Sequence, residues 1–276
     1  MASVLTAFSC RVSSSTAQVT YPGVVELDVV FPRNDTYAPV HLLPIVFAIQ
    51  NSPAAVDLAL QLVWTINPHE GTDSDGDSGS ISLTTPNNTD PFYAGSLTSA
   101  TDSNTYYAIA YSSSTAAEGV YSLIWNLDVF NCSQDAPPTP AGFDPHGYIE
   151  FTLTNGTQQP NLVASTSPHN CHAIPNQVLN VTGTLTLQED NLDDPFITCG
   201  VLGEPVPTGN PCASSLTEDQ ADNITALITS AWCRNGHQGA QVCEASAASL
   251  RLEPTMAGVI GFTALAASVF LLFNRH

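Results

Sequence analysis

Apolar side chains recur at every second position over long parts of this chain, and this period of two restricts it to a β-rich fold. The clearest examples are Leu58–Ile66 and Tyr121–Val129, in which leucine and tryptophan side chains fall on one face. Successive side chains of a strand point to opposite faces, so each segment predicts a strand buried on one side. Further strands are expected at Val24–Phe31, Leu42–Gln50, Ser80–Thr85, Thr105–Tyr111, Gly147–Thr154 and Asn180–Gln188. Many short strands with polar turns predict a mainly β chain folded as an antiparallel β-sandwich.

Two segments depart from this pattern. Apolar residues from Ile224 to Trp232 lie on one helical face, and Ser215 and Glu218 have the spacing of a capping box. The sequence therefore predicts an amphipathic helix near residues 216–234 that docks on the sandwich. The proline-rich segment Asp135–Pro145 predicts a long connection over the surface.

The charge of the chain excludes one class of partner. Among 276 residues there are 25 acidic residues against five arginines and no lysine, which gives a net charge of −20. Such a surface repels phosphate backbones, so no nucleic acid is expected as a partner. With charged residues at only 11% of the chain, solvation must come from neutral polar groups or attached sugar.

Six Asn-x-Ser/Thr sequons are spread along the chain and are expected glycosylation sites. They begin at Asn34, Asn87, Asn131, Asn155, Asn180 and Asn223. The sequon at Asn131 is the least favourable, because its middle residue is Cys132. Together with the cysteines, the sequons predict a secreted glycoprotein.

The cysteines predict disulfides in an oxidising compartment, since no pair has the CxxC spacing of a zinc or thioredoxin site. Cys10 lies in a segment expected to be removed, which leaves Cys132, Cys171, Cys199, Cys212, Cys233 and Cys243. We expect Cys132 to pair with Cys171, and the last four to tie down the C-terminal segment. Direct pairing of Cys212 with Cys233 is disfavoured because the predicted helix lies between them.

The chain divides into four parts. Residues 1–17 predict a weak or truncated signal peptide, and residues 18–243 the β-sandwich ectodomain. A polar spacer at 244–255 precedes a hydrophobic helix at 256–273, which is long enough to cross a membrane. The segment is either a retained transmembrane helix or the signal for a GPI anchor attached at Ser246, and the small residues around Ser246 favour the anchor.

Three sequence stretches carry a resemblance to a known family. FPRNDTYAP at Phe31–Pro39, LLPIVFAIQN at Leu42–Asn51 and SLIWNLDVFNC at Ser122–Cys132 resemble a family of fungal secreted proteins, domain-of-unknown-function family 7136. The similarity covers about Val24 to Cys243. It implies an export signal, a β-rich ectodomain and a fungal cell-surface or extracellular location, and it brings no established activity.

The acidic loop TDSDGDSGS raises the question of calcium binding. Asp73, Asp75 and Asp77 have the spacing of the first EF-hand ligands. However, Ser78 stands where that loop needs glycine, and Thr84 stands where it needs a bidentate glutamate. We therefore expect a hairpin loop and no metal site here.

His169 and His172 are a second possible metal site, with His146 as a distant third ligand. Cys171 lies between the two histidines, and a disulfide there fixes the backbone for structural reasons. We expect loop histidines and no metal cofactor.

Acids are available for hydrolytic chemistry, but their pattern identifies no site. Glu26 and Asp28 share one face of a strand, and a second cluster contains Glu189, Asp190, Asp193 and Asp194. Neither a GxSxG nucleophile elbow nor an HExxH helix is present. No catalytic residue is predicted.

A sugar-binding surface is the remaining alternative. Tyr106, Tyr107 and Tyr111 are close in sequence and can form an exposed aromatic platform, although alternating tyrosines also pack within sheets. Trp64 and Trp125 are predicted to lie in the core.

The sequence thus favours a glycosylated cell-surface protein with a structural or interaction role at the cell wall or membrane. A carbohydrate-binding ectodomain is the first alternative, and a secreted hydrolase the second. The expected partners are the membrane, through the C-terminal segment, and cell-wall glycan or other wall proteins.

Overall fold

The computed structural model describes residues 19–69, 76–83, 90–99, 104–133, 136–188, 196–237 and Cys243. Several expectations lie outside the described residues: the signal peptide at 1–17, Asp73, Asp75, Asn87, the acids Glu189, Asp190, Asp193 and Asp194, Ser246, and the segments 244–255 and 256–273. No helix in the described ranges is long and apolar enough to cross a membrane.

Eleven strands in the described residues form two sheets, which confirms a mainly β chain. They are β1 Gly23–Phe31, β2 Thr36–Tyr37, β3 Leu43–Gln50, β4 Gln61–Pro68, β5 Asp77–Ser82, β6 Tyr93–Thr98, β7 Tyr106–Ser112, β8 Gly119–Ser133, β9 Ala136–Leu153, β10 Asn176–Gln188 and β11 Phe196–Leu202. The six-stranded sheet has the order β11-β10-β1-β3-β7-β6, and the five-stranded sheet the order β2-β9-β8-β4-β5. The pairing of β2 with β9 is parallel, so the second sheet is mixed rather than purely antiparallel.

Both sheets contribute to one hydrophobic core, and the alternation in β4 explains how. Leu62, Trp64 and Ile66 are buried, whereas Val63 between them is exposed. Trp64 lies directly opposite Trp125 of β8, so the two tryptophans occupy the core face as predicted. The strand begins later than the pattern predicted, because the residues before Gln61 form a turn.

The prediction for the proline-rich segment was wrong, because it forms the first half of β9 instead of a surface connection. In this half, β9 pairs with β8, for example at Ala141 opposite Val129 and Pro140 opposite Phe130. The other neighbour of β9 is β2, which pairs only with Thr152 and Leu153. This half of β9 is therefore a sheet edge, where proline is tolerated because no N–H is needed on the open side.

Three short or medium helices accompany the sheets: α1 Ser52–Val56, α2 Leu162–Ser165 and α3 Glu218–Arg234. Two 3₁₀ turns lie at Cys171–Ala173 and Pro211–Ala213. The capping box of α3 is formed by Thr217 and Gln220, not by Ser215 and Glu218. Helix α3 packs mainly against β6 and covers part of the six-stranded sheet, with Ile224 and Ile228 in the core.

The six later cysteines form three disulfides: Cys132–Cys199, Cys171–Cys212 and Cys233–Cys243. The presence of disulfides is confirmed, but the expected pairing of Cys132 with Cys171 was wrong. Cys132 lies on β8 and Cys199 on β11, so their bond joins the two sheets. The Cα atoms of Cys171 and Cys212 are 4.9 Å apart, which brings the two 3₁₀ turns together.

Candidate functional site

The three tyrosines considered for an aromatic platform pack within the fold instead, which was the other alternative left open by the sequence. Tyr107 and Tyr111 are buried, and their hydroxyl groups donate to the backbone carbonyls of Ser215 and Pro91, each at 3.0 Å. Tyr106 is half-buried, with its hydroxyl 3.0 Å from that of Tyr93. Strand β7 lies inside the six-stranded sheet and also contacts α3, so it offers no open face for a sugar.

Asp77, the described member of the acidic loop, has a structural role. Its Oδ2 atom accepts hydrogen bonds from the Ser112 hydroxyl at 2.7 Å and from the backbone N–H groups of Ser113 and Ser114 at 2.7 and 3.0 Å. This carboxylate therefore anchors the start of β5 to the end of β7. It satisfies backbone donors that would otherwise need another partner.

The histidine candidates lie beside a disulfide. His172 is exposed, and its Nδ1 atom is 3.4 Å from Sγ of Cys212. The ligand atoms of Cys171, His172 and Cys212 lie within 4.8 Å of one another, but the two sulfurs are bonded to each other. A disulfide sulfur is not the thiolate that binds zinc or copper, so this group offers a metal only one imidazole.

The paired acids Glu26 and Asp28 are the most heavily buried carboxyl groups of the described residues, with 3% and 0% exposure. They lie on the face of β1 that points away from the shared core. The Glu26 carboxylate accepts a bond from Asn176 Nδ2 at 2.7 Å and one from the backbone N–H of Asn210 at 2.6 Å. The charge of Glu26 thus holds the segment around Asn210 against the sheet.

Asp28 is in a different environment from its neighbour. Its Oδ2 atom accepts a bond from Gln50 Nε2 at 2.8 Å, whereas its buried Oδ1 atom has no donor among the described residues. Burial, together with the adjacent Glu26 carboxylate, raises the pKa of Asp28 to about 7 against the opposing effect of the bond from Gln50. Asp28 is therefore protonated over much of the acidic to neutral range, and in that form it can donate a hydrogen bond.

This carboxyl clamp, defined as Glu26 with Asp28, is not arranged for catalysis. Glu26 lines a pocket of about 320 Å³, but both of its oxygens are occupied by donors from the protein. Asp28 does not line that pocket. A Cβ atom on Gly209 would collide with Glu26 and Asn176, so the covering segment lies tightly on the clamp. The clamp holds the covering segment against the sheet rather than presenting a free carboxylate to a substrate.

The sequence did not reveal a second concave region in the described part of the chain, which we call the Arg33 groove. It consists of two adjoining pockets of about 340 and 440 Å³ that share Arg33, Asn34 and Ala173. The first pocket is also lined by Asp35, Gln158, Gln159, Asn161 and Asn170. The second is also lined by Tyr148, Glu150 and Pro175.

The near wall of the groove is the bend between β1 and β2. The backbone N–H of Arg33 donates to the Tyr37 hydroxyl at 3.2 Å, and the Tyr37 ring packs on Phe31 with the centroids 5.0 Å apart. Asp35 accepts one bond from the backbone N–H of Thr36 and another from Gln158 Nε2 at 3.2 Å. These contacts fix the bend before any ligand arrives.

The far wall is held by a helix cap and a disulfide. Asn161 caps α2 by accepting a bond from the backbone N–H of Ala164, and Asn170 Nδ2 donates to the Ala164 carbonyl at 2.9 Å. Cys171, next in the chain, is bonded to Cys212. The groove is therefore built on both sides from rigid backbone.

Arg33 is the electrostatic centre of the groove. Its guanidinium is half-buried, and burial lowers its pKa from the ordinary value, although an arginine stays charged in proteins. Nη2 donates to the Asn170 carbonyl at 3.4 Å, while the buried Nη1 has no partner in the described part of the chain. The two acids of the groove have other partners, because Asp35 bonds Gln158 and Glu150 accepts a bond from the Tyr148 hydroxyl at 3.0 Å.

The chemistry of the groove is that of a site for a polar, uncharged ligand. Amide side chains at Gln158, Gln159 and Asn161 both donate and accept hydrogen bonds, and they surround a single cation. At the other end Tyr148 is 55% exposed and presents an aromatic ring to the second pocket. A ring beside several amides suits a ligand that has apolar faces and many hydroxyl groups.

Fold and groove together define a disulfide-bonded protein of two β-sheets. The family described as "Domain of unknown function (DUF7136)" matches residues 20–243, which is more than half of the chain. The chain therefore belongs to this family, and the resemblance seen in the sequence is confirmed.

Two further comparisons add little. No curated protein matches this chain. Among solved structures it is similar to the ASH/PapD-like domain of human CEP192 (PapD-like domain 7), with 10% sequence identity, a TM-score of 0.21, and coverage of 55% of this chain and 99% of that domain. A likeness at this TM-score carries no argument about fold details or function.

Proposed function

We propose that the protein is an extracellular, glycosylated cell-surface protein that interacts with other molecules, and that its Arg33 groove binds a neutral glycan. In this proposal residues 18–243 form a β-sandwich ectodomain with α3 docked on it, and residues 256–273 provide membrane attachment. Two sheets that share one core support the sandwich. Three disulfides support an oxidising, extracellular location.

The observation that carries the glycan proposal is the combination of Arg33, surrounding amides and an exposed tyrosine in one rigid groove. Nη1 of Arg33 has no partner among the described residues, and an unpaired buried donor costs free energy until a ligand satisfies it. The Tyr148 ring is well placed to cover the apolar face of a sugar. Hydroxyl groups serve as both donors and acceptors, which matches amide side chains better than an anion does.

Binding of soluble glucan, chitin and mannan oligosaccharides to the secreted protein, measured by calorimetry, tests the proposal. We expect one of the three to bind saturably and Arg33→Ala to weaken that binding about tenfold, the effect of one lost charged hydrogen bond. Tyr148→Ala is expected to weaken it as well.

Matched controls are available for both variants. Arg234 is exposed on α3, where it donates to Ser230, and Arg234→Ala removes the same charge without touching the groove. Phe130 is a partly exposed aromatic residue on β8, and Phe130→Ala controls for loss of a ring. Absence of binding to all three oligosaccharides by protein that carries no glycan on Asn34, or equal effects of Arg33→Ala and Arg234→Ala, would rule out the groove as a glycan site.

A further inference from the structure

We infer that the groove is occupied by the protein's own N-linked glycan, attached at Asn34, and that this glycan decides whether an external glycan can enter. This inference rests on the proposed function, because it concerns the same groove. It assigns to one sequon a role that the other described sequons cannot have.

The position of Asn34 carries the inference. Asn34 is exposed, begins the sequon Asn34-Asp35-Thr36, and lines both pockets of the groove. It belongs to the bend fixed by Tyr37 and Asp35, so its side chain cannot move far from the groove. A glycan joined to Asn34 therefore starts inside the space that a ligand would use.

The other described sequons differ from Asn34. Asn155 lies on an exposed turn and Asn223 on the exposed side of α3, and neither lines the Arg33 groove. The Asn131 amide oxygen accepts a bond from the Leu202 N–H, and the Asn180 amide donates to the Pro205 carbonyl at 3.0 Å. These two amides are already used by the fold, which makes them poorer positions for a glycan in the folded protein.

The groove can hold the first sugars of such a glycan. The acetamido sugar attached to an asparagine carries an amide and hydroxyl groups. Arg33 presents donors to it, and the bonds of Gln158 to Asp35 and of Asn161 to Ala164 leave the Gln158 amide oxygen as an acceptor and the Asn161 amide nitrogen as a donor. In the second pocket, which Asn34 also lines, the Tyr148 ring can contact the same sugars. The chemistry that we propose for an external ligand thus applies first to the tethered one.

A tethered glycan has a large advantage over a free one. Its effective concentration at the groove is in the millimolar range or higher, because the linkage keeps it near. Molecules that lack the Asn34 glycan are then the ones that bind an external glycan. Variable occupancy of this sequon would divide the secreted protein into an open and a closed population.

Native deglycosylation tests the inference without any external ligand. Site occupancy and the rate of endoglycosidase cleavage are followed at Asn34 and Asn155 in the same folded protein by mass spectrometry of peptides. A glycan held by about two hydrogen bonds is expected to be cut about tenfold more slowly than the free glycan at Asn155. Arg33→Ala should raise the rate at Asn34 alone, and Arg234→Ala should leave both rates unchanged.

A second measurement separates this inference from the proposed function. Thr36→Ala removes the sequon but no groove residue, and Thr36→Ser keeps the sequon as the matched control. Tighter binding of the oligosaccharide by the Thr36→Ala protein than by the Thr36→Ser protein supports the closed state. If the Thr36→Ala protein binds none of the oligosaccharides, the proposed function fails, while slow cleavage at Asn34 still supports the tethered glycan. An unoccupied Asn34, or cleavage as fast as at Asn155, overturns the inference.

Discussion

Replacing Asp28 with asparagine is expected to stabilise the protein at neutral pH. In the wild-type protein this buried carboxyl group must either stay protonated or carry a negative charge beside Glu26, and both cost free energy at neutral pH. The ordinary pKa of the carboxyl group is 3.8, and burial raises it to about 7 in the folded protein. Between these values the folded state binds a proton that the unfolded state has lost. The free energy of unfolding of the wild-type protein therefore falls as the pH rises from about 4 to about 7, and this loss is complete above the folded pKa.

The size of the effect follows from the shift. One pKa unit corresponds to about 1.4 kcal/mol, so a shift from 3.8 to about 7 costs roughly 4 kcal/mol at pH 8. Asparagine has nearly the shape of the protonated acid: its amide oxygen can accept the bond from Gln50 Nε2, and its amide nitrogen can donate as the protonated acid would. Asp28→Asn should therefore match the wild type near pH 4 and exceed it by up to about 4 kcal/mol at pH 8. For a domain of this size, that is about 10 °C in Tm.

Chemical unfolding at five pH values between 4 and 8 measures the free energy of unfolding of each protein and its dependence on pH. Asp222→Asn, on the exposed side of α3, is the control for loss of one negative charge. The plot of unfolding free energy against pH should be flatter for Asp28→Asn than for the wild type. The plot for Asp222→Asn should run parallel to that of the wild type. An Asp28→Asn protein less stable than wild type at pH 8 would refute the raised pKa of Asp28.

Two further changes test the structural roles assigned above. Asp77→Ala removes the acceptor of the Ser112 hydroxyl and of the backbone N–H groups of Ser113 and Ser114. This change is expected to lower the free energy of unfolding by about 3 kcal/mol. A Tm equal to that of the wild type would contradict the anchoring role of Asp77. Replacing Cys132 and Cys199 with serine removes a covalent link between residues that are 67 positions apart. The free energy of unfolding, measured by chemical unfolding, should fall by about 4 kcal/mol. An unchanged value would mean that packing alone holds the two sheets together.

The parts of the fold that the sequence predicted correctly are those in which one physical rule acts alone. Tyr121–Val129 alternates because one side of β8 faces the core, and the structure buries Leu123, Trp125 and Leu127 accordingly. In β1, β3 and β7 both faces are covered, so the alternation weakens, and the pattern left open whether the tyrosines of β7 pack within the sheet or form an exposed surface. The prolines of β9 suggested a loop, since the sequence does not say that a strand will lie at a sheet edge.

The candidate site was harder to predict, because its residues are close only after folding. Arg33 is separated from Tyr148 and from Asn170 by more than a hundred positions, and no local pattern connects them. The predicted pairing of Cys132 with Cys171 was wrong for a similar reason. Cys132 and Cys199 meet because β8 and β11 belong to different sheets that face one core, and a helical or strand period carries no information on which strands face each other.

The carboxyl clamp and the Arg33 groove are connected through the Cys171–Cys212 disulfide. Cys171 follows Asn170 in the groove wall, and Cys212 lies two residues after Asn210, whose backbone N–H is held by Glu26. The clamp and the disulfide are two of the contacts that hold the segment carrying Cys212, together with the bond from Gln50 to the Asn210 carbonyl and the bond from the Tyr107 hydroxyl to the Ser215 carbonyl. The clamp thereby supports the groove wall from the outer face of the six-stranded sheet. Glu26 binds the covering segment directly, whereas Asp28 acts through Gln50, whose amide also donates to the Asn210 carbonyl, so the burial cost of Asp28 accompanies a pair of contacts that help to keep the far wall of the groove in place.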